Sequence, residues 1–201
     1  MTTPFSGVRR ATLVDVASIA RLSVCANREV WRDVPALQDA IEPSAPEIAL
    51  QLLEDLDDGH ELYVAERQAR NIGFAHLTRP TTGDGGHVFE LRDLYVSSEY
   101  RRSGLGRQLL RFVLRDLRHR PNPSVLRVWA ATGSAAAGFV EAAGGQPVRE
   151  RWKVGQGMYA VRGTIFDWRP GHNPTGAGAR QERAAIRPPA GALRGAARAR
   201  A

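Results

Sequence analysis

Leu91-Arg92-Asp93-Leu94-Tyr95-Val96, Ser97-Ser98-Glu99-Tyr100 and Arg101-Arg102-Ser103-Gly104-Leu105-Gly106 run without a break into an arginine-studded segment ending at Leu117. The first six residues read as a strand and the next four as a polar turn. Leu105, Leu109, Phe112, Val113 and Leu117 then fall on one stripe at helical spacing, with Arg107, Arg111, Arg115 and Arg118 on the wet face. A glycine-bearing turn that enters a helix has a direct physical use. The first helical N–H groups have no partner inside the helix, and the dipole there is positive. Glycines let a phosphate approach the backbone with no Cβ in the way, and flanking arginines add charge-assisted contacts. The same residues also read as a plain helix start with Ser103 as N-cap. Other phosphate motifs fit badly. The sequence has no nucleotide-hydrolysing P-loop, and Leu109 stands where a dinucleotide fingerprint needs a third small residue.

Outward from this stretch, strand and helix signals alternate. Residues 8–11 predict a short strand, and residues 15–28 an amphipathic helix with Val16, Ile19, Ala20, Leu22 and Ser23 on or near one face. Thr12 is its candidate N-cap, with Asp15 completing an imperfect capping box. Pro35, Pro43 and Pro46 break any long helix over 31–46, and residues 47–57 predict a helix ending near Gly59. Strands are expected over 61–66 and 72–78, and over 87–96 after a turn at 83–86. A helix over 104–119 stops before Pro121. A buried strand over 125–131, a short helix over 133–143 ended by Gly144-Gly145, and a hairpin of 147–154 and 157–168 complete the order.

The chain of 201 residues suits one domain, expected over 1–168, followed by a disordered Arg/Ala/Gly/Pro-rich tail over 169–201. The net charge of +7 suggests nucleic acid until it is located. Seven arginines and one glutamate give the tail +6 and leave residues 1–168 at +1. A nearly neutral folded part argues against a nucleic-acid surface. No apolar run is long enough for a membrane helix or a signal peptide, so the expected location is cytoplasmic. Cys25, the lone cysteine, sits in an apolar helical pattern and is expected to be a small core residue. His60, His76, His87, His119 and His172 lie at no recurrent ligand spacing, so no metal is expected.

Arg101-x-x-Gly104-x-Gly106, set after Asp93-Leu94-Tyr95-Val96, resembles the acyl-CoA-binding motif of the GNAT superfamily of N-acetyltransferases: Gln or Arg, then x-x-Gly-x, then Gly or Ala. The resemblance covers about residues 7–168 by element order as well as motif, including the helix with Phe139 and the following Gly144-Gly145. It implies an α+β fold of mixed α/β composition, with a mainly antiparallel sheet of about six or seven strands flanked by about four helices. Two central parallel strands, 87–96 and 125–131, would splay apart to admit the pantetheine arm of acetyl-CoA. It further implies hydrogen bonds from the Leu94 and Val96 backbone, on either side of Tyr95, to the acyl-pantetheine. Arg101, Arg102, Ser103, Gly104, Leu105, Gly106 and Arg107 would hold the pyrophosphate. The Leu94 N–H would polarise the thioester carbonyl. The reaction implied is transfer of an acetyl group to a primary amine of a small molecule or peptide, in a ternary complex.

Such an amine must lose a proton before it attacks. Glu90 occupies the position of the base in histone-acetylating GNAT members, and Asp93 matches an acid of aminoglycoside-modifying members. Strand alternation puts the two on opposite faces unless a bulge intervenes, and Glu90 is preferred. The 133–143 helix departs from the family pattern. Gly133 replaces the common asparagine, with Ser134 as substitute cap, and Val140 replaces the tyrosine that protonates the leaving thiolate in some members. The alternatives are an inactive CoA-binding regulatory domain and a basic-tailed nucleic-acid-binding protein, and the assembly is expected to be a monomer or homodimer. Asp33, Asp39, Glu42, Glu47, Glu54, Asp55, Asp57 and Asp58 make the stretch over 31–58 acidic. As a rim on the acceptor side they favour a cationic acceptor; as a helix face they are merely solvated.

Overall fold

The computed structural model describes residues 7–32, 43–83, 86–122, 124–154 and 160–169. The expected tail, apart from Arg169, lies outside them, as do Asp33, Asp39 and Glu42. In chain order the strands are β1 (Gly7–Arg10), β2 (Glu61–Arg67), β3 (Arg70–Leu77), β4 (Thr81–Gly83), β5 (Gly86–Val96), β6 (Ser124–Ala131), β7 (Gln146–Val154) and β8 (Ala160–Trp168). The helices are α1 (Val16–Arg32), α2 (Ala45–Asp57), α3 (Leu105–Arg118) and α4 (Ala135–Ala142).

These form one mixed sheet of eight strands in the order β1-β2-β3-β5-β6-β8-β7, with β4 beside β5. Every pairing is antiparallel except β5 with β6. The expected strand number of six or seven is therefore corrected to eight. The added strand is β4, whose three residues are too few to show a period of two.

Local chemistry sets the helix starts. The Thr12 N–H donates to Asp15 Oδ2 at 2.8 Å, and a 3-10 turn over Leu13–Asp15 leads into α1. At α2 the Ser44 N–H donates to Glu47 Oε2 at 2.7 Å and Ser44 accepts from the Glu47 amide, a capping box that moves the start upstream of the expected residue 47.

Both sheet faces are covered. α3 and α4 bury Leu110, Val113, Leu117, Ala137 and Val140 against Tyr63, Leu77, Phe89, Leu91 and Leu126. On the other face α1 and α2 bury Val16, Ile19, Ala20 and Leu52 against Leu62, Val64, Phe74 and Tyr95. Cys25 is exposed on α1, not in this core, because the buried stripe runs through Val16, Ile19 and Ala20. A polar cluster ties β1, β2 and α3 together: Asp116 accepts from Arg10, Tyr63 and Arg120, each at 2.8 Å. Burial pushes the Asp116 carboxyl up, but these hydrogen bonds outweigh it and hold it down at about 2. No helix among the described residues is long and apolar enough to cross a membrane.

Candidate active site

The two central strands part company midway. β5 pairs with β6 only from His87–Ser124 to Glu90–Arg127. Beyond that point β5 keeps β3 as its partner, up to Val96 opposite Gly73, while β6 keeps β8, up to Ala131 opposite Gly163. A gap thus opens between the carboxyl halves of two parallel strands, where open α/β sheets place their ligands. The Ser97 N–H donates to the Ile72 carbonyl at 2.9 Å, so the odd-numbered residue Tyr95 also turns its backbone toward β3. Alternation turns the N–H groups of Leu94 and Val96 the other way, into the gap.

The β5 ladder contains a bulge. Leu77 pairs with Leu91 and His76 with Asp93, which leaves Arg92 unmatched. Phe89 and Leu91 face α3 and α4. Glu90 therefore points to the α1–α2 side, and after the bulge Asp93 does too. The Asp93 carboxylate lies 3.5 Å from His76, a buried residue of that same side. The expectation that Glu90 and Asp93 lie on opposite faces gives way here, because the extra residue resets the alternation. Both acids are exposed. Glu90 sits at the last rung before the gap, opposite Arg127, whose guanidinium makes a two-pronged ion pair with buried Asp167 at 2.8 Å.

The turn from β5 to α3 is built by left-handed residues. Arg102 has φ +61° and Gly104 has φ +85°. Gly104, not Ser103, is the N-cap, and no side chain caps the helix. The Ser103 hydroxyl donates instead to the Tyr100 carbonyl at 2.5 Å. The first helical bond runs from the Gln108 N–H to the Gly104 carbonyl at 3.0 Å. The amides of Leu105, Gly106 and Arg107 precede it and need a partner from outside the helix. A Cβ on Gly104 would meet nothing within 4 Å, so the space over the turn is open. The arrangement suits a phosphate. Arg102 and Arg107 flank it, exposed. Arg101 does not. Its Nε donates to the Val96 carbonyl at 2.9 Å, its Nη2 is paired with Glu29, and its guanidinium lies over the Tyr95 ring. The motif arginine braces strand to turn.

α4 behaves as its sequence implies. Ser134 caps it, accepting from the Ala137 N–H at 3.1 Å. Val140 is buried in the core, and Phe139 packs beside Gly106. Neither offers an acid. Burial and neighbouring Glu29 raise the Tyr95 phenol to about 12.

The sequence matches the acetyltransferase (GNAT) family over residues 27–144, more than half of the chain. The chain belongs to the GNAT acetyltransferase family. Solved structures agree on the fold of this GNAT protein. A ribosomal-protein-alanine N-acetyltransferase from Brucella melitensis is 23% identical with a TM-score of 0.62, and the match covers 81% of this chain and 98% of that one. YncA of Salmonella typhimurium, a putative acetyltransferase with its cofactor acetyl-CoA, is 17% identical with a TM-score of 0.62, covering 85% and 96%. The ribosomal-protein-S18-alanine N-acetyltransferase of Escherichia coli is 16% identical with a TM-score of 0.58, covering 85% and 97%. No curated protein matches the chain in sequence.

Two features of this GNAT protein lie outside the motif. A groove of about 400 Å³ at the mouth of the gap is lined by Thr78, Glu90, Arg92, Arg127, Trp129 and Arg151, among others. Trp129 lies across Gly163, where a Cβ would come within 2.2 Å of the indole. The groove is arginine-rich. Among the described acids of the rim expected over 31–58, none of Glu47, Glu54, Asp55, Asp57 and Asp58 lines it, and Asp55 is buried and bonded to Arg92 at 3.2 Å. The second feature is a meeting of Asp55, His60 and His76, whose ligand atoms lie within 4.8 Å of one another. Burial holds the His60 imidazole below its ordinary value. Spacing along the chain conceals this group, because His76 arrives from β3, the antiparallel partner of β2.

Proposed function

We propose that this GNAT protein transfers an acetyl group from acetyl-CoA to the primary amine of an acceptor that also carries an anionic group. The observation that carries the reading is the gap between β5 and β6, with an anion-accepting turn at one end and a carboxylate at the other. The uncapped amides of Leu105, Gly106 and Arg107 and the side chains of Arg102 and Arg107 take the pyrophosphate. The pantetheine arm lies in the gap against the N–H groups of Leu94 and Val96. The Leu94 N–H, fixed by the strand, stabilises the oxyanion as the amine attacks the thioester carbonyl. Glu90, at the rung where the gap begins, accepts the amine proton directly or through one water. Asp93 is the weaker candidate because it faces His76. With Val140 in the core, the leaving CoA thiolate takes its proton from water.

The acceptor class follows from charge. Arg92, Arg127 and Arg151 line the groove together with Glu90. Arg92 and Arg127 are already paired with Asp55 and Asp167, so an amine bearing a carboxylate or phosphate meets the Arg151 guanidinium while its amino group meets Glu90. Bidentate arginine contacts also orient such an acceptor. The test is thiol release from acetyl-CoA with matched amines, each supplied with and without its anionic group. Free amino acids and their amides make suitable pairs. The anionic member of each pair should give the higher kcat/KM, and Arg151→Ala should narrow the difference. Preference for the neutral or cationic members would overturn the acceptor class while leaving the reaction itself standing.

A further inference from the structure

We propose that Asp55, His60 and His76 form a binding site for a divalent transition metal of the zinc class. His60 Nδ1 lies 3.0 Å from His76 Nε2. Asp55 Oδ1 is 3.8 Å from His60 Nδ1, and Asp55 Oδ2 is 3.6 Å from His76 Nε2. A tetrahedral zinc ion bonded at about 2.0–2.1 Å holds neighbouring ligand atoms about 3.4 Å apart. The imidazole separation is just below that value and each imidazole's contact with a carboxylate oxygen just above it, and one ligand atom from each residue lies within 4.8 Å of the others, so small side-chain shifts suffice to seat an ion. Two imidazoles and one carboxylate select zinc, cobalt or a related ion over magnesium or calcium, which prefer oxygen-only ligands.

The surroundings resemble those of a built metal centre. His76 is buried near the carboxyl end of β3, and its far nitrogen, Nδ1, faces the Asp93 carboxylate at 3.5 Å. A carboxylate behind a ligating imidazole fixes its tautomer and strengthens it as a donor. Asp55 Oδ1 accepts from Gln51 Nε2 at 3.2 Å and Oδ2 from Arg92 Nη1 at 3.2 Å. A carboxylate has about four acceptor positions, so these bonds orient Asp55 and leave lone pairs for an ion. The Arg92 charge opposes a cation, but Asp55 and Asp93 beside the imidazoles, with Asp58 near His60, outnumber it. Asp55 closes α2, His60 precedes β2 and His76 belongs to β3, so the ion would pin the end of α2 to the sheet. Three protein ligands leave a fourth position to water. The proposal stands independently of the acyl-transfer reading.

The test uses tag-free, full-length protein stripped with a chelator and titrated with zinc by calorimetry, and with cobalt by visible absorption. One equivalent of zinc should bind and raise the Tm. Cobalt should give the intense absorption bands of a tetrahedral site. Asp93→Asn should weaken zinc binding by about 10–100-fold, as loss of an outer partner does. His60→Gln, at a partly exposed position, should weaken it further and abolish the cobalt bands. Asp55→Asn should do the same and keeps the hydrogen bond from Gln51. His119→Gln, at the far end of α3, should bind like wild type. Failure of wild type to take up an equivalent of either ion would overturn the proposal. So would uptake undiminished in folded His60→Gln and Asp55→Asn, since the ion would then sit elsewhere and the imidazoles would simply share a hydrogen bond.

Discussion

At the scale of single residues the sharpest question is which acid serves the amine. Glu90→Gln keeps size and hydrogen bonding and removes basicity. Turnover at neutral pH should fall by roughly 10²–10⁴-fold with little change in acetyl-CoA affinity. Activity should partly recover at high pH, where more of the amine is already neutral. Asp93→Asn should cost less, because the Asp93 carboxylate is directed at His76. Steady-state rates of both variants from pH 6 to pH 10 (about the range that brackets a primary amine's titration) decide between them, and the reverse ranking would assign the base to Asp93. The identity of the two candidates was legible in the sequence, but their geometry was not. Alternation predicts opposite faces, and the bulge at Arg92 is invisible to it, because Arg92 and Asp93 are both polar and no residue type marks the inserted position. Arg101 has a geometry that the sequence hides in the same way. A motif names a residue without saying whether its guanidinium reaches a ligand or, as here, braces Val96 and Glu29.

At the scale of elements the turn before α3 is the part most exposed to test. Gly104 holds φ +85° and faces open space, so a larger side chain strains the cap and fills the place a phosphate needs. Gly104→Val should fold and lose most of its affinity for acetyl-CoA by calorimetry. Unchanged affinity would remove the phosphate site from this turn. The order of elements was readable because helices and strands longer than about six residues show their periods. The ends were less so. Gly104 rather than Ser103 caps α3 because the chain enters the helix through a left-handed residue, and a sequence pattern that rewards serine as a cap does not register that. β4 was missed because three residues carry no period.

At the scale of the whole molecule, the sheet brings together groups that the chain keeps far apart. The His60–His76 meeting and the arginine-lined groove both depend on strands being neighbours, which no local pattern reports. The same holds for Asp116, held at about 2 by residues of β1, β2 and the end of α3. A carboxylate lowered on folding stabilises the fold above its unfolded value of about 3.9, and that contribution is lost as the pH falls through its folded value. The Tm should therefore drop between about pH 4 and pH 2, and Asp116→Asn should flatten the drop while lowering the Tm at neutral pH. A variant with the same acid slope as wild type would show that the cluster does not set acid stability.

The central claim is acetyl transfer from acetyl-CoA to an amine, and product analysis tests it most directly. Full-length protein is incubated with acetyl-CoA labelled in the acetyl carbonyl and with each amine of the matched panel. Free CoA and labelled amide are then quantified together by mass spectrometry. The account predicts an amide carrying the label, formed in equal amount with free CoA and faster from the member of each pair that bears an anionic group. Bound acetyl-CoA with no labelled amide from any amine would contradict it and leave a domain that holds the cofactor without transferring its acetyl group.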